Sequence, residues 1–543
     1  MKIISILHWV GLPLALSSLT GAPDERPNVL FIAIDDLRTE LGTYGSPIAV
    51  SPHLDALAAR GVQFDRAYCQ QAICGPSRGS LLSGLRPESS GLTHNYVKFR
   101  ELTPDVVTLP EQFGRSGYDT FYYGKVFHHG DKDPQSWNRQ EWADSLARGD
   151  KIGAVGGFAL EENQEAKAAT RKEMLAKYGE VARLGLAMGA AFEAGDVADE
   201  FYGDGFSAEL ATRALEELGQ GSEKPFFLAL GFNKPHLNWV APKRYWDLYD
   251  RDEIPLARHP DAPTDGATVG LHPSFELRVR GGIPKFGPLP EDLQRTLMHA
   301  YLACVSYVDA QIGRVLAKLE EVGLADNTIV IVWSDHGYHL GDMGLWGKAT
   351  NYELGTRVPL IVDMSNLPET SRGRKTNALV ELIDMYPTLC DLTGIAVPEH
   401  VEGVSFGPIL ANPDRPWKAA AFSQFPSPAL REWGAFPIRP AMRETYFGPL
   451  LAEVEARIKE QMPEEWDRDM FENDLMGYSV RTERYRLTLW RDSTDPDSSP
   501  VFVELFDHET DPHETKNIAE AHSDLVEKLS VRFAGKWATG VSP

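Results

Sequence analysis

Cysteine is scarce in this 543-residue chain, which contains only Cys69, Cys74, Cys304 and Cys390. So few thiols exclude a disulfide-built scaffold, even in an oxidising compartment. Cys304 and Cys390 each fall on an amphipathic helical pattern, so we expect them, together with Cys69, to be buried apolar side chains. Cys74 is set apart by the residues that follow it.

Positive charge is in deficit as well, because 54 Lys and Arg face 78 Asp and Glu, for a net charge of −24. Such an acidic chain binds nucleic acid or an anionic membrane surface poorly, so we expect neither as a partner. An anionic substrate would require a local cationic pocket. The hydrophobic fraction of 43% and the charged fraction of 24% exclude a disordered, collagen-like or coiled-coil protein.

Long apolar runs are missing beyond the N-terminus. A basic start, an apolar run over residues 3–16 and small residues up to Ala22 predict a signal peptide over residues 1–22. The run is shorter than the ~20 apolar residues that span a bilayer, and no later segment is apolar enough to do so. We therefore expect no transmembrane anchor and a periplasmic or secreted protein.

The chain does contain a series of short β-branched and aromatic runs separated by helical patterns. The runs most typical of buried strands cover residues 28–34, 120–123, 225–230, 328–333 and 358–362. Continuous apolar strands between helices predict an α/β fold, with a large, mostly parallel sheet flanked by helices on both faces.

The last part of the chain differs in its residue composition and strand pattern. Aromatic, Pro-rich loops after residue 401 precede strand patterns at 478–481, 485–490 and 501–506 and a closing helix near 525–533. These patterns predict a smaller antiparallel sheet with one helix. We therefore divide the mature chain into a catalytic α/β domain, 23–400, and a C-terminal subdomain, 401–543. Residues 153–199, rich in Ala, Glu and Gly, predict a helical insertion over the sheet.

Polar residues follow several of the predicted strands at their carboxyl ends, where open α/β sheets bind ligands. These residues are Asp35, Asp36, Lys125, His128, Lys234, His236, Asp335 and His336. Each alone is also typical of a solvated turn, but together they predict one site. The three aspartates are hard oxygen ligands that suit Ca²⁺ or Mg²⁺, and His336 is either a further ligand or a buried neighbour. Lys125 and Lys348 suit a tetrahedral anion, although Lys348 alone is also typical of an ordinary surface lysine.

The most specific motif is Cys74-Gly75-Pro76-Ser77-Arg78, continued by a helical pattern up to Gly84. It resembles the signature of the sulfatase family, whose fold is alkaline phosphatase-like. Ser83 and Leu85 depart mildly from the family's usual Thr and Arg. Within the family the chain is most similar to the iduronate 2-sulfatase group. The segments that carry this similarity are 52–58, 124–128, 234–236, 334–337, 504–507, 510–512 and 515–517.

The resemblance implies a chemistry for these residues. Cys74 would be oxidised to formylglycine by a formylglycine-generating or anaerobic sulfatase-maturing enzyme, and the hydrated aldehyde would be the nucleophile. The implied ligands of one Ca²⁺ are Asp35, Asp36, Asp335, His336 and the modified Cys74. Arg78 and His128 would support the hydrate, while Lys125 and Lys348 would bind sulfate. His236 would contact the substrate and protonate the leaving alkoxide.

The same resemblance implies hydrolysis of a sulfated carbohydrate, with the 2-O-sulfate of a uronic acid as the expected target. The alternatives are a sulfatase of another algal or host polysaccharide and a phosphate or phosphonate monoester hydrolase of the same superfamily. A non-catalytic binder of sulfated glycans is a third, but it predicts a decayed nucleophile or decayed metal ligands. Arg278, Arg280 and Lys285 fit either a carboxylate subsite or a solvated basic loop, and we favour the loop.

Overall fold

The computed structural model describes residues 26–128, 131–139, 157–186, 188–433, 441–495 and 498–533. The predicted signal peptide, residues 1–22, lies outside the described residues. Within the described ranges, no helix combines the length and the apolar character needed to cross a membrane.

The strands and α-helices alternate over most of the chain. The strands are β1 (Asn28–Asp35), β2 (Val62–Tyr68), β3 (Asp119–Gly124), β4 (Phe192–Gly195), β5 (Phe226–Pro235), β6 (Trp239–Pro242), β7 (Thr328–Ser334), β8 (His339–Leu340), β9 (Trp346–Gly347), β10 (Arg357–Asp363), β11 (Arg374–Thr376), β12 (Val380–Glu381), β13 (Ala421–Pro426), β14 (Leu475–Arg481), β15 (Tyr485–Asp492) and β16 (Phe502–Asp507). The helices are α1 (Pro52–Arg60), α2 (Cys74–Ser83), α3 (Pro87–Ser90), α4 (Phe99–Leu102), α5 (Leu109–Arg115), α6 (Glu161–Tyr178), α7 (Gly203–Gly219), α8 (Lys243–Trp246), α9 (Phe275–Arg278), α10 (Glu291–Glu321), α11 (Glu353–Thr356), α12 (Met385–Leu392), α13 (Gly407–Ala411), α14 (Gly448–Gln461), α15 (Arg468–Asn473) and α16 (Ser523–Ser530).

The large sheet has the strand order β11-β2-β10-β7-β1-β5-β3, and β12 also pairs with β2. β7, β1, β5 and β3 are mutually parallel, whereas β10 runs antiparallel to both of its neighbours. This arrangement confirms the mostly parallel sheet and each of the strands predicted for it. The sequence analysis missed β2, because Gln63, Asp65 and Arg66 break its apolar pattern and its pairing with β10 joins distant parts of the chain.

Both faces of the sheet are covered, as alternation along β1 shows. Val29, Phe31 and Ala33 pack into one core cluster with α2, α5 and α12. Leu30, Ile32 and Ile34 point to the other face and pack with α7 and α10. Each of these side chains other than that of Ala33 contributes roughly 1.5–3 kcal/mol by leaving water. Burial on both faces explains why β1 is a continuous apolar run.

The C-terminal sheet is antiparallel, in the order β13-β14-β15-β16, and α16 packs against it. The predicted strands and closing helix are confirmed, but the stretch expected to be loops also contains β13, α14 and α15. Buried ion pairs tie this sheet to the large domain, since Arg486 contacts both Glu353 and Glu514. Lys418 likewise contacts Glu381 and Asp384. The boundary at residue 400 stays a prediction.

Two further expectations concern the insertion and the cysteines. The insertion contains α6 and a following 3-10 turn, but it ends in β4, which pairs with β6 rather than remaining helical. Cys69, Cys304 and Cys390 are buried free thiols, as expected.

Candidate active site

The adjacent parallel strands β7, β1, β5 and β3 end at the same edge of the sheet. The residues directly after or at these ends are Asp35, Asp36, Lys125, His236, Asp335 and His336. Asp36 has a left-handed backbone with φ of 62°. Its amide donates to Asp335 Oδ1 at 3.1 Å, which holds the β1 and β7 ends together. The structure thus brings these six residues to one edge of the sheet. Lys234, which the sequence analysis grouped with them, instead donates from Nζ to the carbonyls of His236 and Asn238, at 2.8 and 2.7 Å.

Helix α2 carries Cys74 and Arg78 into this edge. Cys74 is the first residue of the helix, and Arg78 follows one turn later on the same face. The fully buried Arg78 guanidinium donates to Asp335 Oδ2 at 2.9 Å and Asp35 Oδ1 at 3.2 Å. It also donates to the Lys125 carbonyl at 2.7 Å. Arg78 therefore joins three strand ends to the helix that bears Cys74.

The Cys74 thiol lies between a histidine and a lysine. Its Sγ is 3.4 Å from His336 Nε2 and 3.5 Å from Lys348 Nζ. The next amide, Gly75 N, donates to Asn95 Oδ1 at 2.7 Å. A side chain at position 75 would meet that Asn95 oxygen at 2.6 Å, so glycine is required for this contact.

The acids around Cys74 form a donor set that fits a divalent cation. Asp35, Cys74, Asp335 and His336 each offer a ligand atom within 4.8 Å of the others. His336 Nδ1 faces the Gly337 carbonyl at 3.0 Å, which leaves Nε2 directed into the cluster. Burial raises the pKa of Asp36 to about 6, against the opposing effect of Lys348. A cation would offset the cost of burying these carboxylates, and hard oxygen donors suit Ca²⁺ or Mg²⁺.

The two lysines predicted to bind an anion line the same space and contact the acids. Lys125 pairs with Asp35. Lys348 Nζ lies 2.7 and 3.0 Å from the two carboxylate oxygens of Asp36. Burial opposes the charge of Lys348, but Asp36 holds its pKa well above the usual range. Both side chains are therefore cationic at the floor of the site.

A cavity of about 350 Å³ opens above Cys74. Its lining includes Cys74, Asn95, Tyr96, Lys125, His128, His236, His272, Glu276, Arg280, Lys348 and Trp433. Burial, followed by the charge of Lys125, lowers the pKa of His128 to about 3, so this imidazole is neutral at the cavity wall. The cationic lining overlies the acidic cluster of Asp35, Asp36 and Asp335.

Glu276 is a site residue that the sequence analysis missed. Its Oε1 lies 3.2 Å from His236 Nε2, and its Oε2 lies 3.6 Å from Lys348 Nζ. Burial opposes ionisation, but Lys348 and His236 hold the pKa of Glu276 well below its usual range. His272, also missed, faces the Lys348 carbonyl at 2.7 Å. Neither residue ends a strand of the sheet, so no pattern in the sequence marked them.

The expectation of a solvated basic loop at residues 278–285 is wrong. Arg278 donates to the carbonyls of Pro273, Pro284 and Gly287, each at 2.7 Å, and braces its own loop. Arg280 is 2% exposed and lines the cavity above Cys74. Its position fits the alternative of a carboxylate subsite, because this buried cation lines the cavity.

The α/β fold and the cationic cavity above an acid cluster fit a hydrolase of anionic esters. Comparison with known proteins gives the family. The sulfatase family model matches residues 27–395. The chain therefore belongs to the sulfatase family and is a sulfuric ester hydrolase.

Individual relatives agree with this assignment. The chain is 32% identical over 518 residues to iduronate 2-sulfatase of Mus musculus, covering 85% of this chain and 84% of the relative. It is 34% identical over 390 residues to a sulfatase of Formosa agariphila, covering 68% of this chain and 70% of the relative. Among solved structures, the phosphonate monoester hydrolase of Silicibacter pomeroyi superposes with a TM-score of 0.67 at 23% identity, covering 95% of this chain and 96% of that one. That likeness shows the fold alone.

Proposed function

We propose that this sulfatase removes sulfate from a sulfated carbohydrate, with the 2-O-sulfate of a uronic acid as its target. The observation that carries the proposal is the cavity above Cys74, where two lysines and Arg280 present positive charge in an acidic protein. Similarity to iduronate 2-sulfatase supports the choice of a uronic acid.

Position 74 is the proposed nucleophile. Converted to formylglycine by a sulfatase-maturing enzyme, it would supply in its hydrated form the hydroxyl group that attacks sulfur. We do not assign Arg78 a contact with the substrate, because its guanidinium already donates hydrogen bonds to Asp35, Asp335 and backbone carbonyls. We assign it to holding residue 74 against the acid cluster. His128 places a neutral imidazole in the cavity lining beside residue 74.

The acid cluster is the proposed cation site. Asp35, Asp36, Asp335 and His336, with residue 74, would hold Ca²⁺. The ion would supply Lewis-acid polarisation of a sulfate oxygen. Lys125 and Lys348 would contact the remaining sulfate oxygens and stabilise the charge that develops during transfer.

His236 is the proposed general acid. Its side chain lines the cavity above Cys74, and its Nε2 lies 3.2 Å from Glu276 Oε1. We assign the Nε2 proton to the leaving alkoxide. General acid catalysis of this kind contributes about 10²–10⁴-fold. Glu276 is then a positioning residue that orients the imidazole.

Maturation and export complete the proposal. The motif that starts at Cys74 is proposed to be the substrate of a formylglycine-generating or anaerobic sulfatase-maturing enzyme. The leader over residues 1–22 is proposed to direct the protein to the periplasm or the medium. Both steps occur before the folded enzyme meets its substrate.

Sulfate release from defined sugars tests the proposed function. Matched disaccharides carrying a single 2-O-sulfated uronate or a single 6-O-sulfated glucosamine are compared, and we expect faster release from the first. Cys74→Ala should abolish release, because it removes the proposed nucleophile. Cys304→Ala, at another buried thiol, should retain it.

Mass spectrometry of the peptide containing residue 74 accompanies the assay. Active enzyme that carries only unmodified Cys74 would contradict the nucleophile assignment. Faster release from the 6-O-sulfated sugar would contradict the uronate assignment. Preferential hydrolysis of a phosphonate monoester would favour the alternative drawn from the superfamily.

A further inference from the structure

A second cationic groove lies beside the cavity above Cys74. It has a volume of about 280 Å³ and is lined by Lys167, Arg171, Leu175, Ala182, Arg183, Gly185 and Met188. All of these residues belong to the insertion that follows residue 153. Hydrolysis at Cys74 does not explain the role of this insertion. We call it the insertion groove.

Helix α6 places two cations on one wall of the insertion groove. Lys167 and Arg171 are four residues apart, so they lie on the same face of the helix. Like charges at this spacing destabilise a helix, and an anion between them would offset the repulsion. Arg183 stands at the outer rim, where it pairs with the exposed Glu180 at 2.6 Å.

The position of Lys167 is set by close packing. Its Nζ lies 5.5 Å from the centre of the Phe158 ring. Gly189 has φ of +81°, and a side chain there would meet Phe158 at 2.6 Å and the Lys167 stem at 3.2 Å. Glycine at this position therefore lets the lysine stem lie against the backbone.

The insertion groove is continuous with the cavity above Cys74. Gly185 and Met188 line both spaces. The Gly281 amide donates to the Gly189 carbonyl at 2.7 Å, which ties the insertion to the loop that bears Arg280. Burial lowers the pKa of Lys167, and the charges of Arg280 and Arg171 lower it further. Positive side chains thus continue from the cavity above Cys74 into the insertion groove, from Arg280 to Lys167 and Arg171.

We propose that the insertion groove is a second anion-binding subsite, which holds a sulfate or carboxylate group of the sugar next to the one that is desulfated. The proposal rests on the proposed function, because the groove is placed relative to the sugar bound above Cys74. It defines the substrate class as oligosaccharides with anionic groups on adjacent sugars. In a chain of net charge −24, such a local run of cations also attracts a polyanion to this one opening.

The test removes the two cations of α6 with Lys167→Gln and Arg171→Gln together. The matched control is Lys172→Gln with Lys177→Gln, which removes the same charge from the same helix outside the groove lining. The substrates are a heparin-derived tetrasaccharide with sulfate on adjacent sugars and a disaccharide with the 2-O-sulfated uronate as its only sulfated sugar. The readouts are kcat and KM for each.

We expect the wild-type enzyme to prefer the tetrasaccharide. The Lys167/Arg171 variant should lose about tenfold of that preference in kcat/KM, mainly through KM, because it lacks both cations proposed to hold the second anion. The control variant should keep the preference. The wild-type advantage should shrink at high salt, since the contact is electrostatic. Equal loss in the two variants would overturn the subsite, because it would mean that net charge alone acts.

A binding titration separates failure of this inference from failure of the proposed function. The heparin tetrasaccharide is titrated into the Cys74→Ala protein with and without the Lys167 and Arg171 substitutions. Weaker binding after substitution supports the subsite even if no sulfated sugar is hydrolysed. Unchanged binding overturns it even if the enzyme desulfates uronates.

Discussion

At the scale of single residues, Arg78 shows how one side chain organises this site. Its guanidinium has no exposed surface and donates to two acids and two backbone carbonyls. The planar fork of arginine matches such divergent acceptors, whereas lysine offers a single charged point. Local geometry therefore explains the arginine at this motif position: the residue one turn after Cys74 must reach both Asp35 and Asp335.

Replacing this side chain should destabilise the protein strongly. In Arg78→Ala, Asp35 and Asp335 lose a buried cationic partner, and breaking a buried pair costs about 3–5 kcal/mol. Urea unfolding of Arg78→Ala should show a lower midpoint than wild type, and the midpoint of Arg78→Lys should lie between the two. Arg457→Ala is the control, because the exposed Arg457–Glu453 pair should change the free energy of unfolding by at most ~1 kcal/mol. An unchanged midpoint in Arg78→Ala would contradict this account.

At the scale of elements, the site depends on how closely two strand ends approach. The Lys125 amide donates to the Gly231 carbonyl at 2.9 Å, just beyond β3. A side chain on Gly231 would meet the Lys125 carbonyl oxygen at 1.9 Å, and one on Gly124 would meet the Gly231 carbonyl oxygen at the same distance. The paired glycines therefore let β3 and β5 end side by side, with Lys125 directed at Asp35.

Gly231→Ala should consequently displace Lys125. We expect lower kcat for sulfate release and a lower thermal midpoint, because the clash is with backbone that cannot rotate away. Gly203→Ala is the matched control, since nothing lies within 4 Å of a side chain there. Full activity in Gly231→Ala would show that the strand ends separate without disturbing the site.

At the scale of the whole molecule, burial of neutral histidines links stability to pH. Burial lowers the pKa of His339 from 6.5 to about 4 and that of His128 to about 3, and it lowers the pKa of His272 as well. The unfolded chain takes up protons at these rings below about pH 6.5, whereas the folded chain does not. These residues therefore favour the folded state above pH 6.5 and lose that effect as the pH falls toward 4.

The free energy of unfolding should thus fall between pH 6.5 and 4, by up to about 1.4 kcal/mol per pH unit for each such histidine. Urea titrations at several pH values measure the slope. His339→Asn should flatten it, whereas the exposed His522→Asn should not. A slope that is the same in wild type and His339→Asn would contradict the assignment to His339.

The apolar strands of the sheet, the acids and lysines at their ends and the Cys74 to Arg78 motif could be predicted from the sequence alone, because each depends on neighbours a few residues away. The antiparallel placement of β10, its pairing with β2 and the contacts of Glu276 with His236 and Lys348 became visible in the folded chain. The structure also showed that Arg280, in a basic stretch predicted to be solvated, is buried and lines the cavity. These features arise from contacts between segments far apart in the chain, where burial and charge pairing, rather than local pattern, set which residues meet.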